Sequence, residues 1–532
     1  MPKPLTTALL YFHTLRHLRP GQVINRVTRR LPRRRPRTMP RLSPRTTRHA
    51  PATFLNRRPC YRPEGCFTFL NETRRLEEMD GWSDPDVPLL WLYNLHYFDW
   101  LAQSGPVDQR HRQATIDRWI EDNGGQGGVG WQPYPTSLRI VNWIKWQLSG
   151  NPLNETALSS LADQISSLDS NVEYHLLGNH LLANAKALYL GGLFFSGQAA
   201  DGWRSKGGDI LSGQITEQVL ADGGHFERSP MYHCIVLEDL LDVINATRVY
   251  GMSVPDHWTA TVAGMLDWLV TMTRPDGRFP LFNDAADAIA GTPSDLLDYA
   301  SRLNAGTVIG ARNGMTHLPE TGYFRYQTDR YSFFGDAGDI GPDYLPGHAH
   351  ADTFTFELCC GNDPLIVDRG TSTYEKGRLR LLERGTVSHN TVQLGDLDQS
   401  EVWSAFRVAR RAKVVDVRVG RRDLEAAHTG YDRVGVRHRR RFCFEDDRIV
   451  ILDKLDATAG TLPATARLHF APGIVPRISA NRAMAGPATI TFEGARDIRI
   501  ADYQYAPEFN KRVPAKCLAV RFDRQLKTEL VL

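Results

Sequence analysis

The chain carries 532 residues, 42% of them hydrophobic and 10% aromatic, with a formal net charge of +4. That length is too great for one hydrophobic core, so two or three globular domains are expected. No run is long and apolar enough to span a bilayer, and seven scattered cysteines read as no disulfide framework and no cysteine metal site, with a Cys60–Cys66 bridge as the one pairing left open.

Residues 1–55 read as a basic, proline-broken arm. Arg16, Arg19, Arg26, Arg29, Arg30, Arg33, Arg34, Arg35, Arg37, Arg41, Arg45 and Arg48 lie there with no acid among them. Such a run suits an acidic polysaccharide or an anionic membrane surface, and equally a solvated basic arm; a nucleic-acid partner is not expected. Leu9, Phe12, Leu15 and Leu18 recur at helical spacing and predict a short amphipathic helix within 1–30. The apolar stretch 6–12 is short and is followed by Arg and Pro, which is not the pattern of a secretory signal peptide.

From about 85 the chain turns aromatic, with Trp91, Tyr93, Tyr97, Phe98 and Trp100 close together. Helical periodicity then recurs over 108–122, 135–148, 155–168, 172–190, 209–220, 232–250 and 256–273, with Gly, Pro, Asn and Asp between. Consecutive helices of this kind predict an all-α domain of stacked helical hairpins over 56–315. Near 315 the period falls to two. Alternating stretches at 324–334, 353–358, 390–394, 412–419, 434–444, 448–455, 466–470, 488–492 and 517–522, separated by turn residues, predict an antiparallel β-sandwich over 316–532.

Four clusters carry candidate chemistry. Gly178-Asn179-His180 opens a helical run, where Asn179 reads either as a group facing a groove or as an N-cap. The loop-to-helix junction from Asp222 to His233 crowds His225, Glu227, Arg228 and Tyr232 among glycines and a proline; its polarity suits a wet pocket, although a single Tyr is more often core. Asn283, Asp284 and Asp287 form a third polar loop, which could simply cap the next helix. The fourth runs from Gly347 to Arg411. It holds His348 and His350, then Asp368, then His389, and ends in Trp403, Phe406 and Arg407. Imidazoles and a carboxylate from neighbouring strands suit Zn²⁺. His348 and His350 share a side only if the segment is extended. Aromatics interleaved with Arg suit sugar stacking and carboxylate pairing, or sandwich core.

Taken in order, Asn179-His180, Tyr232 in Ser-Pro-Met-Tyr-His, Gly-His348-Ala-His350-Ala-Asp352, Val-Asp368-Arg-Gly, Ser-His389-Asn-Thr-Val and Trp403-Ser-Ala-Phe-Arg-Val resemble the heparinase II/III-like superfamily of polysaccharide lyases, which includes heparinases and alginate and oligoalginate lyases. The resemblance covers about 85–470. It implies an incomplete (α/α) toroid followed by an antiparallel β-sandwich, and β-elimination on a uronic-acid-containing acidic polysaccharide or oligosaccharide. Asn179 and His180 match the positions that neutralise the uronate carboxylate; Tyr232 and His348 match the acid–base positions. His225, Glu227, Arg228, Trp403 and Arg407 are the expected substrate contacts. His350, Asp368 and His389 match the family's metal ligands and imply a structural Zn²⁺. The resemblance also implies a periplasmic or cell-envelope setting, with the cytoplasm as the alternative where no clear signal peptide is seen. Two other readings stand beside it: a glycoside hydrolase using Glu227 and Asp284 as paired carboxylates, and a non-catalytic binder of acidic polysaccharide.

Overall fold

The structure, a computed structural model, describes residues 4–29, 39, 41–105, 107–125, 127–306, 310, 312–457 and 462–532. Arg30, Arg33, Arg34, Arg35 and Arg37 of the basic arm lie outside the described residues. The arm opens with two helices, α1 (Pro4–Leu15) and α2 (Pro20–Thr28). After a small antiparallel sheet (Tyr61–Arg62, Cys66–Phe69, Glu72–Arg75) the main helical part follows. It consists of α3 (Leu89–Tyr97), α4 (Gln109–Asn123), α5 (Pro133–Leu148), α6 (Glu155–Asp169), α7 (Gly178–Phe194), α8 (Gln198–Gln218), α9 (Pro230–Val249), α10 (Asp256–Thr271) and α11 (Pro293–Arg302).

Local chemistry sets the helix starts. Asp108 and Asn154 cap α4 and α6 by accepting from the backbone N–H groups of His111 and Ala157. Ser229 caps α9 with Pro230 at its first position, and Thr292 with Asp295 forms a capping box on α11. Helices α7 and α9 are buried on nearly every side, so they form the centre of the helical layer rather than its rim. Helices α7 and α8 touch backbone to backbone: a Cβ on Gly192 would lie 2.3 Å from the Arg204 amide nitrogen.

Two departures from the periodicity have local causes. Helix α7 begins at Gly178, not near 172, because Leu177 and Gly178 both take left-handed backbone angles (φ 65° and 56°) and break the run. Helix α8 begins at Gln198, eleven residues before its clear apolar spacing, because its first turns pack only partly on the body. Helices α3 and α11 lie outside the stretches of predicted helix, α3 in the aromatic run and α11 behind its Thr292–Asp295 cap.

Beyond Gly314 the chain is β. One antiparallel sheet takes Gly314–Leu318, Tyr323–Gln327, Tyr331–Asp336, Phe356–Cys360 and Asp363–Ile366 in sequence order. The stretch 324–334 is therefore two strands joined by a turn, and the strand expected from 353 begins at Phe356 because Phe354 is left-handed (φ 69°). A second, larger antiparallel sheet is built around Val436–Phe444, Arg448–Ala457 and the long pair Ala488–Glu508 and Lys511–Val531. It includes Asp423–His428, whose acidic start hid its alternation. The aromatic faces of the two sheets meet: Tyr326 stacks on Phe444 at 4.4 Å, and Phe333 and Phe324 each lie 5.3 Å from Phe442.

Helical and β parts are joined by buried charge. Arg274, after α10, pairs with Glu357 at 2.7 Å, both out of solvent. Asp284 is clamped by Arg380 of α12 (Arg378–Arg384), the second bond at 2.6 Å.

Candidate active site

The site is built where the start of α7, the start of α9 and the loop 343–350 converge. The left-handed turn at Leu177–Gly178 aims the first turn of α7 into the cavity. Asn179 and His180 are the first side chains it presents. His180 donates through Nδ1 to Glu173 (3.1 Å), and Glu173 is itself held by Asn184, whose side-chain oxygen accepts the Glu173 N–H at 2.8 Å. Tyr134 packs on the His180 ring at 4.4 Å. Ser229 and Pro230 fix the first turn of α9, and that turn carries Tyr232.

Tyr232 stacks on His348, with ring centroids 3.9 Å apart and planes 18° apart. Its hydroxyl meets that of Tyr374 at 3.2 Å. His348 is held from two sides. Its carbonyl accepts the Asp284 N–H at 3.0 Å, and its Nδ1 is hydrogen-bonded to Glu227, leaving Nε2 as the ring nitrogen free of that bond. Asn283 ties the same loop to α9: its side chain donates to the Arg228 carbonyl and accepts the His350 N–H.

Burial, with Tyr374 beside it, pushes the Tyr232 phenol well above its ordinary range, so it is protonated at neutral pH. Burial also pushes Glu227 up, but the adjoining His348 outweighs this and holds the carboxyl below its usual range. The pair is therefore a carboxylate orienting an imidazole.

A cavity of about 1090 Å³ opens above these groups. Asn179, His180, Tyr232, Glu227, His348 and Arg407 all line it. His225, Arg228 and Trp403 do not. His225 is buried behind α7, bonded to Gln218, which in turn donates to the Gly178 carbonyl at 2.9 Å. The Arg228 guanidinium reaches away to the carbonyls of Asp339 and Glu320. Trp403 packs edge-on against Tyr11 at 4.9 Å and donates to Thr14 at 3.0 Å, so it seats α1. Arg407 lies 4.8 Å over the Trp403 ring. Sequence reasoning missed Tyr134, Tyr374, Glu173 and Arg380. Tyr134, Tyr374 and Arg380 act through contacts remote in sequence, Glu173 through His180 seven residues on, and none sits in a motif that marks it.

His350, Asp368 and His389 are fully buried behind the cavity. His389 bonds Asp368 at 2.9 Å through Nδ1, and His350 bonds Asp284 at 2.8 Å through Nε2. Each ring's other nitrogen, Nε2 of His389 and Nδ1 of His350, is buried without a partner, and the rings are 5.3 Å apart. Burial, opposed by Asp284, lowers His350 to about 3 and keeps it neutral; burial also lowers His389, but Asp368 outweighs it and the net shift is upward. Among the described residues no group of three or more His, Cys, Asp and Glu converges as a metal site as it stands. Asp284, fully buried and clamped by Arg380 and His350, does not line the cavity, so it cannot face a scissile bond with Glu227 as a hydrolase pair would.

The family model of the heparinase II/III N-terminus matches residues 94–300, and that of the heparinase II/III-like C-terminal part matches 310–531. The chain belongs to the heparinase II/III-like family. Within it, a heparin-sulfate lyase of Bacteroides stercoris is 25% identical over 410 residues, 70% of this chain and 59% of that protein. The chain thus matches somewhat over half of that relative's length. The FtsZ-localized protein C of Caulobacter vibrioides is 25% identical over 451 residues, 77% of this chain and 75% of that protein. The crystal structure of heparinase III superposes with a TM-score of 0.67 at 18% identity, covering 85% of this chain and 79% of the other, and shows that the fold is shared.

Proposed function

We propose that this chain is a polysaccharide lyase that cleaves a uronic-acid-containing acidic polysaccharide by β-elimination. One observation carries the reading: the Tyr232–His348 stack and the Asn179–His180 pair line one cavity. Asn179 and His180 donate to the uronate carboxylate and stabilise the charge that develops on it when the C5 proton leaves. His348, held by Glu227, takes that proton through Nε2. The electron pair forms the C4=C5 double bond as the C4–O4 bond breaks. Tyr232, kept protonated by burial, gives O4 its proton. One family relative is named for localisation and not for lyase activity, so the reading rests on this site and not on membership alone.

The cavity lining holds ten Asp and Glu against eight Lys and Arg. It lacks the cation excess that a densely sulfated chain calls for, which favours a polymer charged mainly through its uronates. The helical layer is read as the family's incomplete toroid and the two facing sheets as its sandwich, in support of which stands the likeness to heparinase III. Zn²⁺ held by His350, Asp368 and His389 is the accompanying proposal. Two buried imidazole nitrogens without a partner support it, Nδ1 of His350 and Nε2 of His389. None of the three lies on a strand, contrary to the expected placement, so when bound the ion would cross-link the connecting segments under the cavity. Elemental analysis of protein purified without added metal should give near-stoichiometric zinc that His389→Ala removes; full zinc in that variant takes His389 off the ligand set. Exposure to a panel of uronate polysaccharides, read by the ultraviolet absorbance of an unsaturated uronate, tests the reaction itself.

A further inference from the structure

Outside the cleft, α1 and α2 form an unusual surface. Their inner sides are accounted for. Thr14 and Tyr11 engage Trp403. Gln22 is buried and donates to the Tyr344 carbonyl at 3.3 Å, and Arg19 lies 3.6 Å over the Tyr344 ring while pairing with Glu217. The outer sides are apolar and uncovered. Leu9 and Phe12 share one face of α1; Val23, Ile24 and Val27 share one face of α2. Phe12, Ile24 and Val27 are 61%, 60% and 62% exposed. A surface helix ordinarily turns polar residues to water, and a run of exposed apolar ones marks an interaction site.

Charge says what the partner is. The first 63 residues hold 16 Lys and Arg and no Asp or Glu. We propose that α1 and α2 dock this chain on an anionic phospholipid bilayer, their apolar faces entering the boundary between headgroups and acyl chains and the arginines pairing with lipid phosphates. An acidic polysaccharide would match the cations but would leave Phe12, Ile24 and Val27 in water. A second copy would bring the same excess of cations and repel. Among the described residues no helix is long and apolar enough to cross a membrane, so the contact is interfacial. Tyr11, Leu15 and Gln22 of the same helices line the cavity, which sets its mouth beside the docked surface. The inference is independent of the reaction proposed above.

Cosedimentation of the full chain with vesicles tests it. Vesicles of phosphatidylglycerol and phosphatidylcholine should carry the protein down, and pure phosphatidylcholine should not. The triple variant Phe12→Ser, Ile24→Ser, Val27→Ser keeps every charge and touches no cavity residue. It should weaken binding about tenfold or more with melting temperature and turnover unchanged, while Phe12→Leu with Val27→Ile should retain binding and guard against a folding defect. Undiminished binding by the triple variant, binding to soluble polyuronate in place of vesicles, a dimer that the triple variant dissociates, or no vesicle binding at all would each overturn the proposal.

Discussion

At the scale of single residues the proposed chemistry turns on Tyr232 and on what surrounds it. A buried phenol next to another phenol is protonated in its resting state, which suits a proton donor and, in the proposed elimination, leaves the part of base to the neighbouring imidazole. Tyr232→Phe removes one oxygen from a ring already packed on His348. It should lower turnover ~10²–10⁴-fold with little change in melting temperature. If the hydroxyl acts only as the acid, a substrate with an aryl leaving group at C4 needs no proton there and should recover most of the rate. Retention of more than a few per cent of activity on a natural substrate would remove Tyr232 from the reaction. Tyr232, His348, Asn179 and His180 were legible in the sequence because each sits in a short motif with polar neighbours. Glu227 was legible as a polar residue of the junction but not as the partner of His348, since 121 residues separate them. Nor could the sequence tell that Asp284 turns inward to Arg380 and His350 and leaves the cavity.

Among the elements, the start of α7 matters most. Gly178 takes φ 56°, and a Cβ there would lie 2.4 Å from Leu345 Cδ2 and 3.0 Å from Glu227 Oε1. Gly178→Ala should cost about 1–2 kcal/mol from backbone strain and lower turnover by more than its stability loss explains, because it shifts Asn179 and His180. Equal turnover per folded molecule would show that α7 is not the positioning element. Beneath the site, Asp453 is paired to Arg440 and His438, and Arg440 donates to the carbonyls of Phe354 and Asn390 on the segments beside His389. Burial raises the Asp453 carboxyl, but Arg440 and His438 prevail and hold it at about 2. A depressed carboxyl stabilises the fold fully above its unfolded value of ~3.9 and loses that contribution as pH falls through about 2. Its share is about 2–3 kcal/mol. Asp453→Asn should therefore lower stability at pH ~7 by about 3 kcal/mol or more, with the difference from wild type shrinking as the pH approaches 2; denaturant titrations across that range check it, and a pH-independent difference would refute the ion pair. The order of helices then strands was readable from the change of period. The exact start of α7 was not, because a left-handed Leu177 leaves no compositional mark.

The whole molecule is a helical layer and a β layer joined by buried ion pairs, with α1 and α2 laid over the cavity's rim. The basic arm was legible as charge. Its packing was not, since Tyr11 and Thr14 find Trp403 across almost four hundred residues. That arrangement leaves one large cleft, and the proposal is that this cleft binds a uronate chain and performs β-elimination. Product analysis after incubation with unsulfated and sulfated uronate polysaccharides tests it most directly. A lyase should give new ultraviolet absorbance together with new reducing ends in equal amounts, larger for the unsulfated chains, and neither with Tyr232→Phe. Reducing ends without the absorbance, or no product from any uronate chain bound by the wild-type protein, would contradict it.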